Sequence, residues 1–384
     1  MSADAMQLRR CAVLYIEARE TLGVDWAALF AGGGTLAATM GWVALAPHLE
    51  RELALEPDWL PALGAIAPTL WSARADCEQR FGAQPIARLL ELGLLLSDGP
   101  EHAHLRARDD TLRAQHWRPL SACAHVFSRW EAMQVDSGMQ FPTFEQLVEA
   151  NGAPPAPAIA RGAGRDALRL PPARPGALDE TLLRRYTGRN FDPDGVLPLA
   201  LVARLLQRCF GAQSQREMAP GAMVFKKTSP SAGALHPVEA YLLVQRVEGV
   251  APGLYHYHPL DHSLEPLGAP DGAQLTALAS LAVADQEWFV TAPLMVVLAA
   301  RVQRNFWKYR NHAKAYRALL LDAGHLSQTF YLLASEAGLP AFVTAAINEA
   351  EIERAFGLDP LCDAVIAVCG CGPAGAGQEM MELR

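Results

Sequence analysis

The sequence has little charge for its length and no lysine at all in its first 150 residues. Charged residues make up 19% of the 384 positions against 51% hydrophobic ones. That balance excludes an intrinsically disordered chain, which needs the reverse. Residues 1–150 hold twelve Arg, no Lys and nineteen Asp or Glu, a net −7, so they carry most of the overall charge of −8. An acidic half is a poor electrostatic partner for nucleic acid. The N-terminal MSADAMQLRR lacks a basic stretch followed by an apolar run, so no secretion signal is expected. The seven cysteines, Cys11, Cys77, Cys123, Cys209, Cys362, Cys369 and Cys371, are odd in number. They show neither metal-ligand spacing nor a small-domain disulfide pattern, which points to buried free thiols in a reducing cytoplasm. Charge is also missing between Asp25 and Glu50, a length that could span a bilayer. Gly32-Gly33-Gly34 interrupts this stretch and Ala and Thr dilute it, so a buried helix, a Gly turn and a second apolar segment are expected instead.

A chain this long is expected to form two domains. Residues 151–176 contain six Pro and four Gly with no helical or strand period, and mark a linker. Before it, residues 1–150 read as mainly helical. Ala73 to Phe81, Gly82 and Gln84 to Leu92 suggest two short helices about a turn, and Gly93 to Leu96 a strand leading into a charged wing. This winged-helix-like pattern offers only Arg88 against Glu91 for phosphates, so peptide binding fits it better than DNA. After the linker, residues 177–384 read as an α+β domain. A helix is expected from Leu197 to Gln207, and strands from Ala240 to Val247 and Leu254 to His258. Pro293 to Ala300 is uniformly apolar, as in a central buried strand. Leu319, Ala323, Leu326, Phe330, Leu333 and Ala337 recur at helical spacing up to Gly338. Asn348 with Glu351 suggests a capping box for a helix reaching Phe356. Ala364 to Val368 reads as a last buried strand.

Three segments carry chemistry. Arg184-Arg185-Tyr186-Thr187-Gly188-Arg189-Asn190-Phe191 places cations around a hydroxyl, a pattern that can grip a phosphate or a heterocycle edge, or form a solvated turn. Ser229-Pro230-Ser231-Ala232-Gly233-Ala234-Leu235-His236-Pro237 has small residues that would let a planar ligand approach the backbone. Arg301 to Arg317 interleaves six cations with Phe306, Trp307, Tyr309 and Tyr316, and no Asp or Glu occurs from Trp288 to Leu321. Such a stretch can stack single-stranded bases or line a flavin and peptide site. His256, His258 and His262 suggest surface imidazoles on a hairpin, with no metal site. His325 and His236 suit a cofactor pocket or plain packing. Gly370-Cys371-Gly372-Pro373-Ala374-Gly375 is no dinucleotide fingerprint, because Pro373 intrudes and no further strand follows.

In their order and separations, the cationic segment, SPSAGALHP, the Lys308-Tyr309 pair and Ala323-Gly324-His325-Leu326-Ser327-Gln328 resemble the SagB-type dehydrogenases of the nitroreductase superfamily. The resemblance covers about residues 178–372. It implies a nitroreductase-like, FMN-binding α+β fold, and an FMN-dependent oxidoreductase that converts thiazolines and oxazolines of a ribosomal peptide to thiazoles and oxazoles. Under it, Arg185, Tyr186, Thr187 and Arg189 would contact FMN. Pro230, Ser231, Ala232 and Gly233 would lie against its ring system, and Gln328 near its flavin side. Tyr186 and Thr187 depart from the usual Arg-Ser. Lys308 and Tyr309 match a catalytic pair, one abstracting the proton and the other orienting it from adjacent helix positions.

The resemblance also implies a modified precursor peptide as substrate, a cyclodehydratase that supplies it, and a homodimer. The acidic N-terminal lobe would recruit the peptide, with no role for nucleic acid or membrane. Two other functions fit the segments: NAD(P)H-dependent reduction of nitro, quinone or dehydroamino-acid groups on the same fold, and a non-catalytic peptide- or nucleic-acid-binding protein with a degenerate flavin fold.

Overall fold

A computed structural model describes residues 6–33, 36–135, 144–158 and 168–383. Its backbone clusters into two compact units built from interleaved stretches. The first comprises Met1–Arg129, Ala300–Leu319 and Asp359–Ala364; the second comprises Trp130–Ala299, Leu320–Leu358 and Val365–Arg384. Part of the expected linker, residues 159–167, lies outside the described residues, while 168–176 are exposed and form no helix or strand.

In the first unit the strands are β1 (Gln7–Arg10), β2 (Tyr15–Val24), β3 (Leu36–Ala46), β4 (Arg51–Leu55), β5 (Ser72–Ala73) and β6 (Leu95–Ser97). They form two sheets, β5-β1-β6 and β2-β3-β4. The expected helix pair appears as Arg74–Phe81 and Ala83–Glu91. Gly82 joins them at φ 92°, a conformation open to glycine and strained for other residues. Ile86, Leu89 and Leu90 recur at three and four residues and bury one helical face. They pack with Leu8, Leu63, Leu94 and Leu95 in a closed core. The strand that follows, β6, pairs with β1 rather than with a downstream wing. Beyond it the chain turns at Pro100 into the helix Ala103–Ala114. Arg88, the cation available to a recognition helix, is ion-paired with Glu91.

The uncharged stretch after Asp25 departs from expectation. Its helix is not buried: Trp26–Phe30 is one short helix with no buried residue, at the tip of the β2–β3 hairpin. Phe30 is 85% exposed and Leu22 65%. Apolar character does not bury a segment whose strand has no layer to cover it. Among the described residues no helix is long and apolar enough to cross a membrane.

His125 ties this unit's separated stretches together. Its ring stacks on Trp117 at 5.4 Å, its Nε2 lies 3.0 Å from the Pro360 carbonyl and its Nδ1 3.3 Å from the Tyr316 hydroxyl. Burial, and secondarily the Arg129 cation, push its pKa down to about 4.

The second unit holds β7 (Ser214–Ala219) and β8 (Ala222–Lys226), which pair with each other. Its main sheet contains β9 (Val238–Val244), β10 (Gly253–His258), β11 (Ser263–Gly268), β12 (Leu294–Arg301), β13 (Ala341–Thr344) and β14 (Asp363–Cys371), of which the last two residues of β12 and the first two of β14 fall to the first unit. The order is β11-β10-β9-β12-β14-β13. The apolar run at Pro293–Ala300 thus becomes the interior strand β12, buried from Leu294 to Ala300. The helices Leu199–Cys209, Ala315–Glu336 and Glu349–Phe356 fall where the sequence period set them. This mixture of strands and helices is the expected α+β class.

One detail differs. Asn348 does not cap its helix by side chain. Its Oδ1 accepts the Met133 N–H, and its amide donates to the Met133 and Leu281 carbonyls, so tertiary contacts outcompete the local box. The seven thiols are all unpaired, six of them buried.

Candidate functional site

Within the second unit, two of the three segments are anchored on one helix, Ala315–Glu336. The loop Ser229–Pro237 is held by Asp322 and Thr329, seven residues and nearly two turns apart on one face. The buried Asp322 carboxylate accepts the Ser231 hydroxyl and, at 3.1 Å, the Ala232 N–H. Ser231 Oγ in turn accepts the His236 N–H at 2.9 Å, and the Ser229 and Thr329 hydroxyls meet at 2.6 Å. Burial raises the Asp322 pKa above the usual carboxylate range, and the two hydrogen bonds oppose that rise. Gly233, Ala234 and His236 all adopt positive φ, at 63°, 58° and 47°. Left-handed backbone at two non-glycine residues is costly and persists where surroundings enforce it. The chain is thereby held in a tight cradle whose small residues leave the backbone open. Pro230 and Gly233 are exposed, and the 4%-exposed Lys227 shares the cleft lined by Ser231, His236 and Asp322.

The cationic segment is organised by Tyr331. The Arg185 guanidinium lies 5.3 Å from the Tyr331 ring centroid, a cation–π distance. The Tyr331 hydroxyl meets Thr187 Oγ1 at 3.1 Å and accepts the Val343 N–H at 3.1 Å. Gly188 donates its N–H to the Ala341 carbonyl at 2.8 Å. A Cβ on Gly188 would come within 2.4 Å of Pro340 Cβ, so only glycine fits there. Tyr186 is half-buried.

Arg189 is turned toward the C-terminal segment. Its N–H and that of Asn190 donate to Glu382 Oε1, at 2.6 and 3.0 Å. Asn190 also pins the backbone of Glu379 and Met380. A cavity of about 420 Å³ opens beside them, lined by Arg189, Phe191, Trp288 and Met380. Gln328 is exposed on the Ala315–Glu336 helix.

Lys308 and Tyr309 belong to the first unit. They sit in the turn between helices Val302–Phe306 and Ala315–Glu336, not on adjacent positions of a helix. Both amides donate to the Asn305 carbonyl at 3.2 Å. The Lys308 Nζ lies 5.7 Å from the Tyr309 ring centroid. The turn is fixed by the buried Asn305, whose amide donates to the Ala315 carbonyl at 2.9 Å while its Oδ1 has no partner among the described residues.

The three hairpin histidines are paired with protein groups. His256 sits between Glu265 at 2.7 Å and Glu239 at 3.1 Å, chiefly the Glu239 contact raising its pKa. His258 meets Asp261 and His262 meets the Tyr257 hydroxyl.

Three residues escaped the sequence: Asp322, Tyr331 and Glu382. Each acts across more than fifty positions, and no local pattern signals such a partner. The groups assembled on the long helix are one guanidinium, hydroxyls and a strained small-residue loop. That set suits an anionic phosphate and the polar edge of a flat heterocycle, which is what FMN presents.

Comparisons with known proteins agree with this architecture. The chain is 29% identical over 187 residues to a nitroreductase-type protein of Methanocaldococcus jannaschii, covering 49% of this chain and 87% of that one. It is 28% identical over 180 residues to the Microcin B17-processing protein McbC of Escherichia coli, covering 46% of this chain and 62% of McbC, less than two thirds of its length. The structure of the E. coli microcin synthetase McbBCD complex with truncated pro-MccB17 bound aligns at TM-score 0.52 and 21% identity, over 69% of this chain and 94% of that one. At that identity the likeness is one of fold. The nitroreductase family profile matches residues 182–373, half of the sequence, and the chain belongs to the nitroreductase family.

Proposed function

We propose that this protein is an FMN-dependent oxidoreductase that oxidises thiazoline or oxazoline rings of a ribosomally made, modified peptide to thiazoles or oxazoles. One observation carries the choice among nitroreductase-family activities: the similarity to McbC, which processes the peptide microcin B17. The cradle on the helix Ala315–Glu336 supports the cofactor assignment.

In this proposal Arg185, Tyr186, Thr187 and Arg189 hold FMN from the cationic segment, while Pro230, Ser231, Ala232 and Gly233 lie against its rings and Gln328 beside it. Asp322 fixes Ser231 and the Ala232 amide so that the loop stays open to a planar ligand. Bound FMN supplies the two-electron acceptor that azoline oxidation requires. Lys308 or Tyr309 removes the proton from the ring carbon that bears the peptide backbone, and the other orients the substrate. Asn305, by fixing both amides of the turn, limits the spread of their positions.

A cyclodehydratase partner delivers the azoline substrate, residues 1–150 act as a peptide-recruiting lobe, and the protein works in the cytoplasm as a homodimer. The cheapest test is the absorbance spectrum of the purified protein. A band near 450 nm (about, a property of the flavin), with FMN released on denaturation, is expected. Colourless protein that takes up no added FMN would overturn the cofactor assignment and with it the proposed reaction.

A further inference from the structure

The hairpin of β2 and β3 presents one face that the core of its unit leaves uncovered. Residues opposite each other in an antiparallel ladder point to the same side of the sheet. The register sets Ala18 opposite Trp42, Leu22 opposite Ala38 and Val24 opposite Leu36, with Glu20 opposite Met40 between them. One face is therefore apolar along the hairpin apart from Glu20. The other face alternates with it and carries Glu17, Arg19, Thr21 and Thr39, of which Arg19 is ion-paired to Glu17 and Glu52.

At its base the apolar face belongs to the core of the unit. Ala44, next along from Trp42 on the same side, is fully buried, and the buried Leu53 and Leu55 of β4 lie opposite Ala44 and Trp42. Farther out, nothing among the described residues covers it: Leu36 is 70% exposed, Met40 67% and, on the tip helix, Trp26 62%. The Trp26 and Phe30 rings lie 6.4 Å apart, so the tip adds an aromatic pair. Burying a large side chain removes about 150–250 Å², which puts the uncovered apolar surface of hairpin and tip on the order of 800 Å². The largest apolar patch of a typical monomer is about 300–600 Å², whereas each partner of a stable pair buries about 800 Å².

We infer that this face is an interface to a second copy of the chain, the apolar faces of two hairpins packing against each other about a two-fold axis. A two-fold contact sets one patch against its own copy, so the patch must be self-complementary. An apolar sheet face without cations meets that condition, and two such faces stack about 10 Å apart around a shared core. Depletion of charge marks homodimer interfaces, and the stretch between Asp25 and Glu50 has none. Glu20 lies on β2, the outer strand of its sheet, where a long side chain can keep its carboxylate in water at the rim. A membrane surface fits less well. Anionic headgroups attract Lys and Arg, whereas residues 1–150 hold no Lys and a net −7. An unlike protein would be marked by a pattern of fixed charges for steering, and this face offers none but Glu20. The inference draws on no cofactor or substrate contact and stands apart from the proposed reaction.

The test is sedimentation velocity of the full-length protein over a micromolar concentration series, with Leu22→Asp, Phe30→Asp and, on the opposite face, Thr21→Asp. The wild type is expected to self-associate. Leu22→Asp and Phe30→Asp each place a carboxylate in the contact twice, once per copy, and should weaken the association at least about tenfold. Thr21→Asp should leave it unchanged. All three positions are exposed, so the circular dichroism of the variants should match wild type. A wild type that stays monomeric throughout would overturn the inference. So would association unchanged in both apolar-face variants, or weakened as much by Thr21→Asp. Monomeric wild type that co-floats with vesicles of phosphatidylcholine and phosphatidylglycerol would assign the face to a membrane surface instead. Wild type that associates through this face yet takes up no FMN would remove the proposed reaction and leave the interface standing.

Discussion

The Asp322 carboxylate accepts a hydrogen bond from the Ser231 hydroxyl across ninety-one positions of sequence. Through this contact and the Ala232 amide, a helix holds the loop expected to face the cofactor. Asp322→Asn keeps the size but removes the charge, so the contacts to Ser231 and Ala232 are no longer charge-assisted. Charge-assisted hydrogen bonds contribute about 1.5–3 kcal/mol. FMN affinity, followed by quenching of flavin fluorescence, should therefore weaken at least tenfold while the variant stays folded by circular dichroism. Ser231→Ala should show a similar loss. Unchanged FMN affinity in both would remove this pair from the cofactor site.

Lys308 and Tyr309 share the Asn305 carbonyl, so their turn is fixed by a residue outside the pair. Removing a general base commonly costs a hundredfold or more in turnover. Lys308→Ala and Tyr309→Phe should lower kcat, at least one of them by about that factor, with FMN content unchanged. Stopped-flow reduction by an azoline peptide reads kcat apart from cofactor loading. Full activity in both variants would strip the pair of its assigned role.

His125 makes the first unit sensitive to acid. Its pKa falls from 6.5 to about 4 in the folded chain, so the unfolded chain binds the extra proton at intermediate pH. Stability contributed by the neutral ring is complete above about pH 6.5 and is lost as the pH falls toward 4. The loss approaches roughly 3 kcal/mol at pH 4. Urea unfolding at several pH values should show this decline in the wild type and a shallower one in His125→Gln. Parallel pH profiles would contradict it.

Gly188 lies where a Cβ would strike Pro340 at 2.4 Å. Overpacking of that kind typically costs about 1–3 kcal/mol. Gly188→Ala should lower the unfolding free energy by an amount in that range, and weaken FMN binding because Thr187 and Arg189 flank it. A stability equal to wild type would show that the loop yields freely.

The elements that sequence made legible are those set by local period. The uniform run Pro293–Ala300 became β12, and the spacing of Leu319, Ala323, Leu326 and Phe330 became the helix Ala315–Glu336. The cationic segment and the small-residue loop were also visible, because clustered cations around a hydroxyl and a run of Gly, Pro and other small residues stand out from helix or strand periodicity. What they touch was not. Tyr331, Asp322 and Glu382 read as ordinary residues of a helix or tail, and their roles come from pairings that no local pattern encodes. The Lys308-Tyr309 turn was hidden because helical residues flank it on both sides. The stretch from Trp26 through β3 misled through its lack of charge: hydropathy reports the cost of exposure, and Trp26 and Phe30 are exposed nonetheless.

The most direct measurement is anaerobic mixing of the FMN-loaded protein with a thiazoline-bearing peptide, monitored near 450 nm (about, for oxidised flavin) with mass analysis of the product. Loss of that absorbance together with a peptide lighter by two hydrogens (about 2 Da) is the expected result. Flavin that stays oxidised with every azoline peptide tried, yet bleaches at once with NADH or NADPH, would contradict azoline oxidation and assign the protein to the reductases of its family.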